Sequence, residues 1–102
     1  MSYAVKIEGG KAKVYEGKSF KRSLGSGVTA ACCSDEWVLI IERGRAKQYA
    51  AQNGSFKRNL GDNDATAVSI SGDSVIIGYA NGKFKEYKAS SGSFRGSAKG
   101  LH

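Results

Sequence analysis

The sequence predicts an all-β fold, an antiparallel meander of about eleven short strands arranged in three repeated units. The first observation is self-similarity, since Val28–Leu60 recurs 37 residues later and also appears upstream without its front part. The second is a series of β-type segments separated by Gly, Asn, Asp and Ser turn signals. The third is that no window keeps helical spacing. We therefore expect one domain, residues 1–102, divided into units 1–27, 28–64 and 65–102.

Each complete unit contains four segments, and each segment has its own composition. The first is small and apolar, the second is β-branched and aliphatic, the third alternates and ends near a tyrosine, and the fourth begins with Ser-Phe. The first unit lacks the first segment. The predicted strands, in chain order, are Tyr3–Glu8, Lys11–Glu16, Ser19–Leu24, Val28–Cys33, Trp37–Glu42, Arg45–Ala50, Ser55–Leu60, Ala65–Ile70, Ser74–Tyr79, Lys83–Lys88 and Ser93–Ala98.

Hydrophobic patterning predicts how deeply these strands are buried. The runs Val38–Ile41 and Val75–Ile77 are continuously apolar, which favours burial on both faces. The third and fourth segments alternate, which favours half-buried strands toward the outside of the sheet. In the fourth segment of the first unit, strict alternation places Phe20, Arg22 and Leu24 on one face, and the second unit repeats this arrangement.

The first segments consist of small residues, so we expect them to be the innermost strands, where the backbones are crowded. Cys32 and Cys33 lie in one of them and are adjacent, so on a strand they point to opposite faces. Two adjacent cysteines are not a disulfide framework, and we expect both to be buried and reduced.

The gradient from small residues, through aliphatic residues, to a basic and aromatic outer segment resembles a blade of a β-propeller. The resemblance covers the whole chain and depends on architecture, because the Gly-His and Trp-Asp signature of WD40 repeats is absent. It implies three blades, of which the first lacks its inner strand. A β-barrel or sandwich built from the same hairpins is the alternative.

The resemblance also implies a larger assembly, because propellers close with about four to eight blades. Two copies of the chain would supply about six, so we expect the chain to be half of a six-bladed ring that a second chain completes. Neither end of the sequence resembles a polar cap, since Tyr3–Val5 and Val75–Ile77 are apolar. The missing inner strand of the first blade either stays absent or is supplied by residues Ser97–His102 of the second copy.

Sixteen Lys and Arg residues against nine Asp and Glu give a formal net charge of +7, which permits anionic partners. The third segments repeat a basic stripe, and the fourth segments repeat Ser-Phe-Lys-Arg, which combines a ring with cations as single-strand nucleic-acid-binding proteins do. Alternatively, the stripe discourages sheet aggregation. For Ser-Phe-Lys-Arg we favour a structural interpretation, with the Phe packed inward and the cations solvated. The candidate polyanion-binding residues are Lys11, Lys13, Arg22, Arg45, Lys47, Arg58, Lys83 and Lys85.

Acidic residues in the predicted turns are candidates for a binding site at the ring loops. Gly61–Asp64 lacks the remaining ligands and the closing glutamate of a calcium loop. The only histidine, His102, is the last residue, so neither a His-based triad nor a His-bearing metal site is expected. We predict no metal, no cofactor and no catalytic activity. The acidic candidates are Asp35, Asp62, Asp64 and Asp73.

These observations favour a non-catalytic binding or interaction module, with its ligand at the ring loops or between blades. A protein that binds nucleic acid or another polyanion through the basic stripe is one alternative, and a structural subunit of a larger assembly is another. The partners we expect are a second copy and a glycan, protein or nucleic-acid ligand. No leader-like segment and no long apolar run is seen, so we expect a cytoplasmic protein without membrane contact.

Overall fold

The structure is a computed structural model that describes residues 3–102, and these residues form eleven strands. The strands lie in three antiparallel sheets, one of three strands and two of four. Their bounds are β1 (Tyr3–Glu8), β2 (Lys11–Glu16), β3 (Ser19–Leu24), β4 (Val28–Cys33), β5 (Trp37–Glu42), β6 (Arg45–Ala50), β7 (Phe56–Leu60), β8 (Ala65–Ser71), β9 (Ser74–Tyr79), β10 (Phe84–Lys88) and β11 (Phe94–Ala98).

We call the three sheets blade 1 (β1–β3), blade 2 (β4–β7) and blade 3 (β8–β11). Within each blade, strands that follow one another in the chain also lie side by side, so each blade is a meander. Every predicted strand is present, and the bounds differ from the predicted ones by one residue at most. The prediction of an all-β meander of about eleven strands is confirmed.

The outer strand of every blade carries a β-bulge that the sequence pattern did not predict. In blade 1, Phe20 is opposite Tyr15, and Arg22 is opposite Val14. Two residues of β3 therefore span one residue of β2, which turns Phe20 and Arg22 to opposite faces. The prediction that Phe20, Arg22 and Leu24 share a face is wrong for this reason. The extra residues in the three blades are Lys21, Lys57 and Arg95.

The apolar core lies between the blades, in two clusters. Within β5, Val38 and Ile40 belong to the cluster between blades 1 and 2, and Leu39 and Ile41 belong to the cluster between blades 2 and 3. All four side chains are fully buried, as predicted for a strand that is apolar on both faces. Because side chains alternate along a strand, this one strand supplies both clusters.

The inner strands are less buried than the sequence suggested. Cys32 and Cys33 are both half-buried and free, and they point toward different clusters, since Cys32 packs with blade 3 and Cys33 with blade 1. Burial raises the pKa of the Cys32 thiol to about 12 and raises the pKa of Cys33 as well. Both side chains are therefore protonated thiols at neutral pH, with little nucleophilic character.

The two end faces of the blade stack are more polar than the faces between blades. In β1, Lys6 occupies the position that Ile40 occupies in β5, and its side chain is 68% exposed. On blade 3, the backbone N–H of His102 donates to Ser69 Oγ at 3.1 Å, and its Nε2 lies 3.1 Å from Ser74 Oγ. The expectation that neither end resembles a polar cap is wrong at these positions.

Candidate ligand site between blades 2 and 3

Four of the predicted site residues meet in one depression at the loops between blades 2 and 3. The connection from β7 to β8 carries Asp62 and Asp64, and the β9–β10 loop with the start of β10 carries Lys83 and Lys85. The depression has a volume of about 410 Å³. Its lining residues are Asp62, Asn63, Asp64, Tyr79, Ala80, Asn81, Lys83 and Lys85.

The backbone of the β7–β8 connection adopts left-handed conformations at two residues, Gly61 with φ of 69° and Asp64 with φ of 68°. A Cβ on Gly61 would lie 2.0 Å from the hydroxyl oxygen of Tyr79, so glycine is required there. Aspartate is one of the few other residues that tolerate this region. The N–H of Ala80 donates to the Asp64 carbonyl at 2.9 Å, which ties the two loops of the depression together.

The charges that line the depression balance. Lys85 Nζ donates to Asp62 Oδ2 at 2.8 Å and lies 5.4 Å from the centroid of the Tyr79 ring. The hydrogen bond and the charge of Lys85 lower the pKa of Asp62, and the hydrogen bond to Asp62 raises the pKa of Lys85. Two ammonium groups, on Lys83 and Lys85, thus stand against two carboxylates, on Asp62 and Asp64.

Two aromatic side chains form the floor of the site. Tyr79 and Tyr87 are both buried, their hydroxyl oxygens are 3.4 Å apart, and the Tyr79 oxygen accepts a hydrogen bond from the Asp62 N–H at 3.2 Å. Burial, followed by the contact with Tyr79, raises the pKa of Tyr87 well above its usual range. On the blade 2 side, Arg45 Nη1 donates to Asn63 Oδ1 at 3.0 Å. The floor is therefore neutral, while the rim is polar.

The equivalent place between blades 1 and 2 is built differently. Glu42 stands where blade 3 has Tyr79, and its carboxylate accepts hydrogen bonds from Lys47 Nζ and from the Ser26 N–H. These two hydrogen bonds lower the pKa of Glu42. The carboxylate lies over the connection, since a Cβ on Gly25 would be 3.0 Å from Glu42 Oε2. This connection carries one side-chain hydroxyl and no carboxylate of its own.

The basic stripe is engaged mainly in contacts within the protein. At one repeat position, all three blades place a lysine that forms an ion pair with a carboxylate. Lys11 and Lys83 occupy the other position of the stripe and are exposed. The three ion pairs are Lys13–Glu8, Lys47–Glu42 and Lys85–Asp62.

Arg22 and Arg58 connect neighbouring blades. Nη1 of Arg22 donates to the carbonyl of Ala51 at 2.9 Å, and Nη1 of Arg58 donates to the carbonyl of Ala89 at 2.8 Å. Arg58 also donates to Oε1 of Gln48, which is fully buried, at 3.1 Å. Both guanidinium groups are half-buried and face the next blade. We call these contacts the arginine bridges.

The phenylalanines of the Ser-Phe-Lys-Arg motifs lie at the surface. Phe20, Phe56 and Phe94 are 54%, 52% and 58% exposed, and each packs edge-to-face on a tyrosine of the neighbouring strand. The favoured interpretation, with the Phe packed inward and the cations solvated, is therefore wrong for the Phe and for the Arg. The bulge causes both errors, because it turns the ring outward and the guanidinium toward the next blade.

The predicted ring-loop acids divide between the two ends of β8. Asp35 and Asp73 line a second depression of about 290 Å³, at the β4–β5 and β8–β9 turns. The Asp73 carboxylate accepts hydrogen bonds from the N–H of Ser90 at 2.8 Å and from its hydroxyl at 2.9 Å, so it supports the β10–β11 turn. Asp62 and Asp64 lie at the other end, in the larger depression.

Sequence reasoning did not single out four residues that line the larger depression, Asn63, Tyr79, Ala80 and Asn81. One signal was present in the repeat itself. Tyr79 replaces the glutamate of the second unit, Glu42, and the connection before β8 is one residue longer than the connection before β4. A search for what differs between the repeated units, and not only for what they share, would have indicated the junction between blades 2 and 3.

Three solved structures share the arrangement of strands. The computationally designed Ika8 protein has a TM-score of 0.68 and 18% identity, over 92% of this chain. The N-terminal domain of Nup159 has a TM-score of 0.68 and 15% identity, over 92%. BamB from Moraxella catarrhalis has a TM-score of 0.67 and 17% identity, over 98%. The fold is propeller-like. At these identities the likeness concerns the fold alone.

The chain spans about a third of the length of these structures, 37% of the Ika8 chain, 30% of the Nup159 domain and 38% of BamB. No protein-family model matches the chain, and no curated protein matches it. Among residues 3–102, no three His, Cys, Asp or Glu side chains are grouped so that they could hold a metal ion. The same residues include no helix that is long and apolar enough to cross a membrane.

Proposed function

We propose that the protein is a non-catalytic binding module that takes a neutral, polyhydroxylated ligand, of the glycan class, in the depression between blades 2 and 3. The observation that carries this proposal is the grouping of hydrogen-bond donors and acceptors at the rim of one depression. The polar side chains of that rim are Asp62, Asn63, Asp64, Asn81, Lys83 and Lys85.

The chemistry of the rim favours a neutral ligand over a polyanion. A sugar hydroxyl both donates and accepts, so it is matched by carboxylates that accept, ammonium groups that donate and amides that do both. The two carboxylates offset the two ammonium groups, so a phosphate chain gains little net attraction there. Tyr79 is only 7% exposed, so it offers little stacking surface. We therefore expect weak binding, with a Kd of roughly 1 mM for a single sugar unit.

A glycan array followed by an NMR titration with the best ligand tests the proposal. We expect amide shifts to concentrate at residues 61–64 and 80–85. Asn81→Ala and Asp64→Asn should each weaken binding about tenfold, because each removes or changes one ligand hydrogen bond. Asparagine is chosen at position 64 because it also tolerates a φ of 68°.

Asp35→Asn is the matched control, since Asp35 lies at the other end of β8 and lines the second depression. It should leave glycan binding unchanged, with all variants checked for an unchanged melting temperature. An array without ligands, or shifts that concentrate around residues 34–37 and 72–73, would show that the larger depression is not the glycan site.

A second candidate function, polyanion binding, is favoured by a different observation. Each half-exposed Phe of the outer strands is followed by an exposed bulge cation, Lys21, Lys57 or Arg95, and the net charge is +7. Rings with adjacent cations suit single-stranded nucleic acid. Affinity for an oligonucleotide and for heparin should fall steeply with rising salt if phosphates or sulfates are contacted. Absence of binding at low ionic strength removes this candidate.

The homodimeric six-bladed ring, and with it a structural role, stays a prediction. Two features of the end faces oppose a contact of the kind seen between blades. Lys6 would be buried where other junctions bury an isoleucine, and Gly96 stands opposite Glu86 where the other blades place the arginine of the bridge. Light scattering at micromolar concentration measures the oligomeric state, and a stable monomer would rule out the ring.

Exchange of residues 97–102 into blade 1 of a second copy also stays a prediction. Within one chain, Ser97 and Ala98 pair with Lys85 and Phe84 of β10, so an exchange would break these pairs. Deletion of residues 97–102 leaves a dimer intact if no exchange takes place. The cytoplasmic location is a prediction as well.

A further inference from the structure

Within residues 3–102, one edge of β1 pairs with no other strand. β1 pairs with β2 along all six of its residues. The equivalent strands of the other blades, β5 and β9, each pair on both sides, because β4 and β8 lie at their inner edges. At this edge, Cys33 of β4 lies against the β1 backbone, where its Sγ donates to the Tyr3 carbonyl at 3.2 Å and accepts from the Val5 N–H.

The side-chain hydrogen bonds of blade 2 show which backbone groups of β1 face this open edge. Thr29 Oγ1 in β4 donates to the carbonyl of Ile41, so the backbone groups of Ile41 point toward the inner strand. Ile7 is the equivalent of Ile41, because both are paired with an alanine at the same place in the next strand. Backbone groups alternate along a strand. The residues whose N–H and C=O groups face the open edge are therefore Tyr3, Val5 and Ile7.

The two complete blades define what a strand at this edge must contain. Ala30 of β4 is opposite Ile41, and Ala67 of β8 is opposite the equivalent residue of β9. Two residues later, the same face carries Cys32 and Ser69, so both positions are small in both blades. Ala30 and Cys32 point toward the following blade. In a strand beside β1, the side chains equivalent to Ala30 and Cys32 would face β4. The two backbones would be close there, so only small side chains would fit.

We propose that the open edge of β1 binds an extended segment of a partner polypeptide, which adds to blade 1 as an antiparallel fourth strand. The segment spans about six residues, as β4 does, and carries small side chains at the two alternate positions that face blade 2. A threonine just before the first small position would donate to the Ile7 carbonyl. The last residues of the same chain lie elsewhere, because His102 is hydrogen-bonded to Ser69 on blade 3.

A synthetic peptide with the sequence of residues 64–71 is the probe, because that segment includes the whole inner strand of blade 3. Added in trans to the full-length protein, it should shift the NMR signals of β1 and slow the hydrogen exchange of the Tyr3, Val5 and Ile7 amides. A peptide with proline at the Ser69 position lacks the backbone N–H that would face Val5, and it should bind at least about tenfold more weakly. Peptides with leucine at the Ala67 or Ser69 position should be weaker as well.

Two variants of the protein locate the site. Ile7→Pro removes an N–H at the open edge and leaves the pairing with β2 intact, so it should stay folded and lose about tenfold in peptide affinity. Ile7→Ala is the matched control, since it shortens the same side chain and keeps the N–H, and it should bind normally. The proposal is independent of the glycan site, so loss of glycan binding in Asn81→Ala leaves peptide binding unchanged.

Three outcomes overturn the proposal. One is an absence of shifts at millimolar peptide. Another is that the peptide slows the hydrogen exchange of amides in the outer strands β3, β7 or β11 and not in β1. The third is a dimer in light scattering whose β1 amides are already protected before peptide is added, which would show that a second copy fills the edge.

Discussion

The junction between blades 1 and 2 and the junction between blades 2 and 3 use the same framework with different polar groups. Both contain an arginine bridge to the carbonyl that follows the third strand of the next blade, from Arg22 in one case and from Arg58 in the other. In both, the arginine stem packs where a glycine Cβ would be, within 2.4 Å at Gly54 and 2.7 Å at Gly92. The framework therefore depends on the repeated sequence.

The two junctions differ at two places. One is the centre of the junction, and the other is the end at which the connection between the blades lies. At the centre, fully buried Gln48 in blade 2 accepts from Arg58 and donates to Ala89, whereas blade 1 has Val14 at that position. At the loop end, Tyr79 replaces Glu42, and the connection gains two carboxylates. The junction between blades 2 and 3 thus has the more polar interior and the candidate ligand site.

The repeat therefore keeps the residues that join the blades and varies those that line the loops. The first set determines how the blades stack, and the second set determines what a ligand meets. Equivalent changes at the two junctions can therefore be compared directly, with the unaltered junction as the control.

The largest effect is expected from the glycines that begin the two connections. In Gly61→Ala, the new Cβ would lie 2.0 Å from the Tyr79 hydroxyl, and alanine would also adopt a φ of 69°. We expect a loss of about 3 kcal/mol in the free energy of unfolding, from overpacking and backbone strain together. Urea denaturation followed by tyrosine and tryptophan fluorescence measures it.

Gly25→Ala is the matched variant at the other junction, with a φ of 71°. Its Cβ would lie 2.8 Å from Cδ1 of Ile40 and 3.0 Å from Oε2 of Glu42, which is less close than the 2.0 Å contact at Gly61. We expect a loss of about 1–2 kcal/mol, mainly from the left-handed backbone. Equal losses in the two variants would contradict the difference between the junctions.

The sequence predicted the strands well because their signals are local. The turn residues and the apolar runs of Val38–Ile41 and Val75–Ile77 are readable without knowledge of the partner strand. The bulges were missed because Lys21, Lys57 and Arg95 interrupt a pairing between strands, and no local pattern marks an extra residue. That one omission produced the wrong orientation of Phe20 and of Arg22.

The candidate site was predicted in part. Its charged residues stood out as turn acids and as members of the basic stripe, but the sequence did not show that Asp62 and Lys85 belong together, since they are 23 residues apart. The sequence did not indicate Tyr79, because its place in the site depends on the room that Gly61 leaves for its hydroxyl group. Contacts between blades are set by packing, and a list of motifs contains no information about them.

The arginine bridges should differ in strength, with the second largest effect. Arg58→Ala leaves Oε1 of buried Gln48 without the donor it has in the native protein, so we expect a loss of about 2–3 kcal/mol. Arg22→Ala removes bonds to the Ala51 carbonyl and to the exposed Gln52 carbonyl but leaves no buried side-chain group without its partner, so it should cost about 1–2 kcal/mol. Urea denaturation at neutral pH measures both losses.

A double variant tests whether buried Gln48 causes the difference between the two arginine bridges. Arg58→Ala with Gln48→Val places a valine where the other junction has Val14, and it removes the side-chain oxygen that Arg58→Ala leaves unsatisfied. We expect the double variant to be more stable than Arg58→Ala alone. If it is less stable than the single variant, the burial of Gln48 is not the source of the difference.

The smallest effect is expected in how the stability of the protein changes at acidic pH. Glu42 has a lowered pKa because of its hydrogen bonds with Lys47 and Ser26, and its side chain is only 12% exposed. Asp62 also has a lowered pKa, because of Lys85, but its side chain is 71% exposed. A carboxyl group with a lowered pKa in the folded state stabilises the protein above its unfolded pKa, about 4 for these residues. That stability is lost as the pH falls through the lowered value.

The pH dependence of stability should therefore differ between two variants that each remove one carboxylate. Glu42→Gln should flatten the fall in stability below about pH 5. The change should be less than about 1 kcal/mol in total, because the pair is only partly shielded from water. Asp62→Asn should leave the profile closer to that of the unaltered protein, and salt should remove the remaining difference, because water and ions screen an exposed pair. Thermal melts at half-unit pH steps from 6 to 3 measure both profiles. A larger change in Asp62→Asn than in Glu42→Gln would show that the pair at the ligand site, and not the pair between blades 1 and 2, dominates the response to acid.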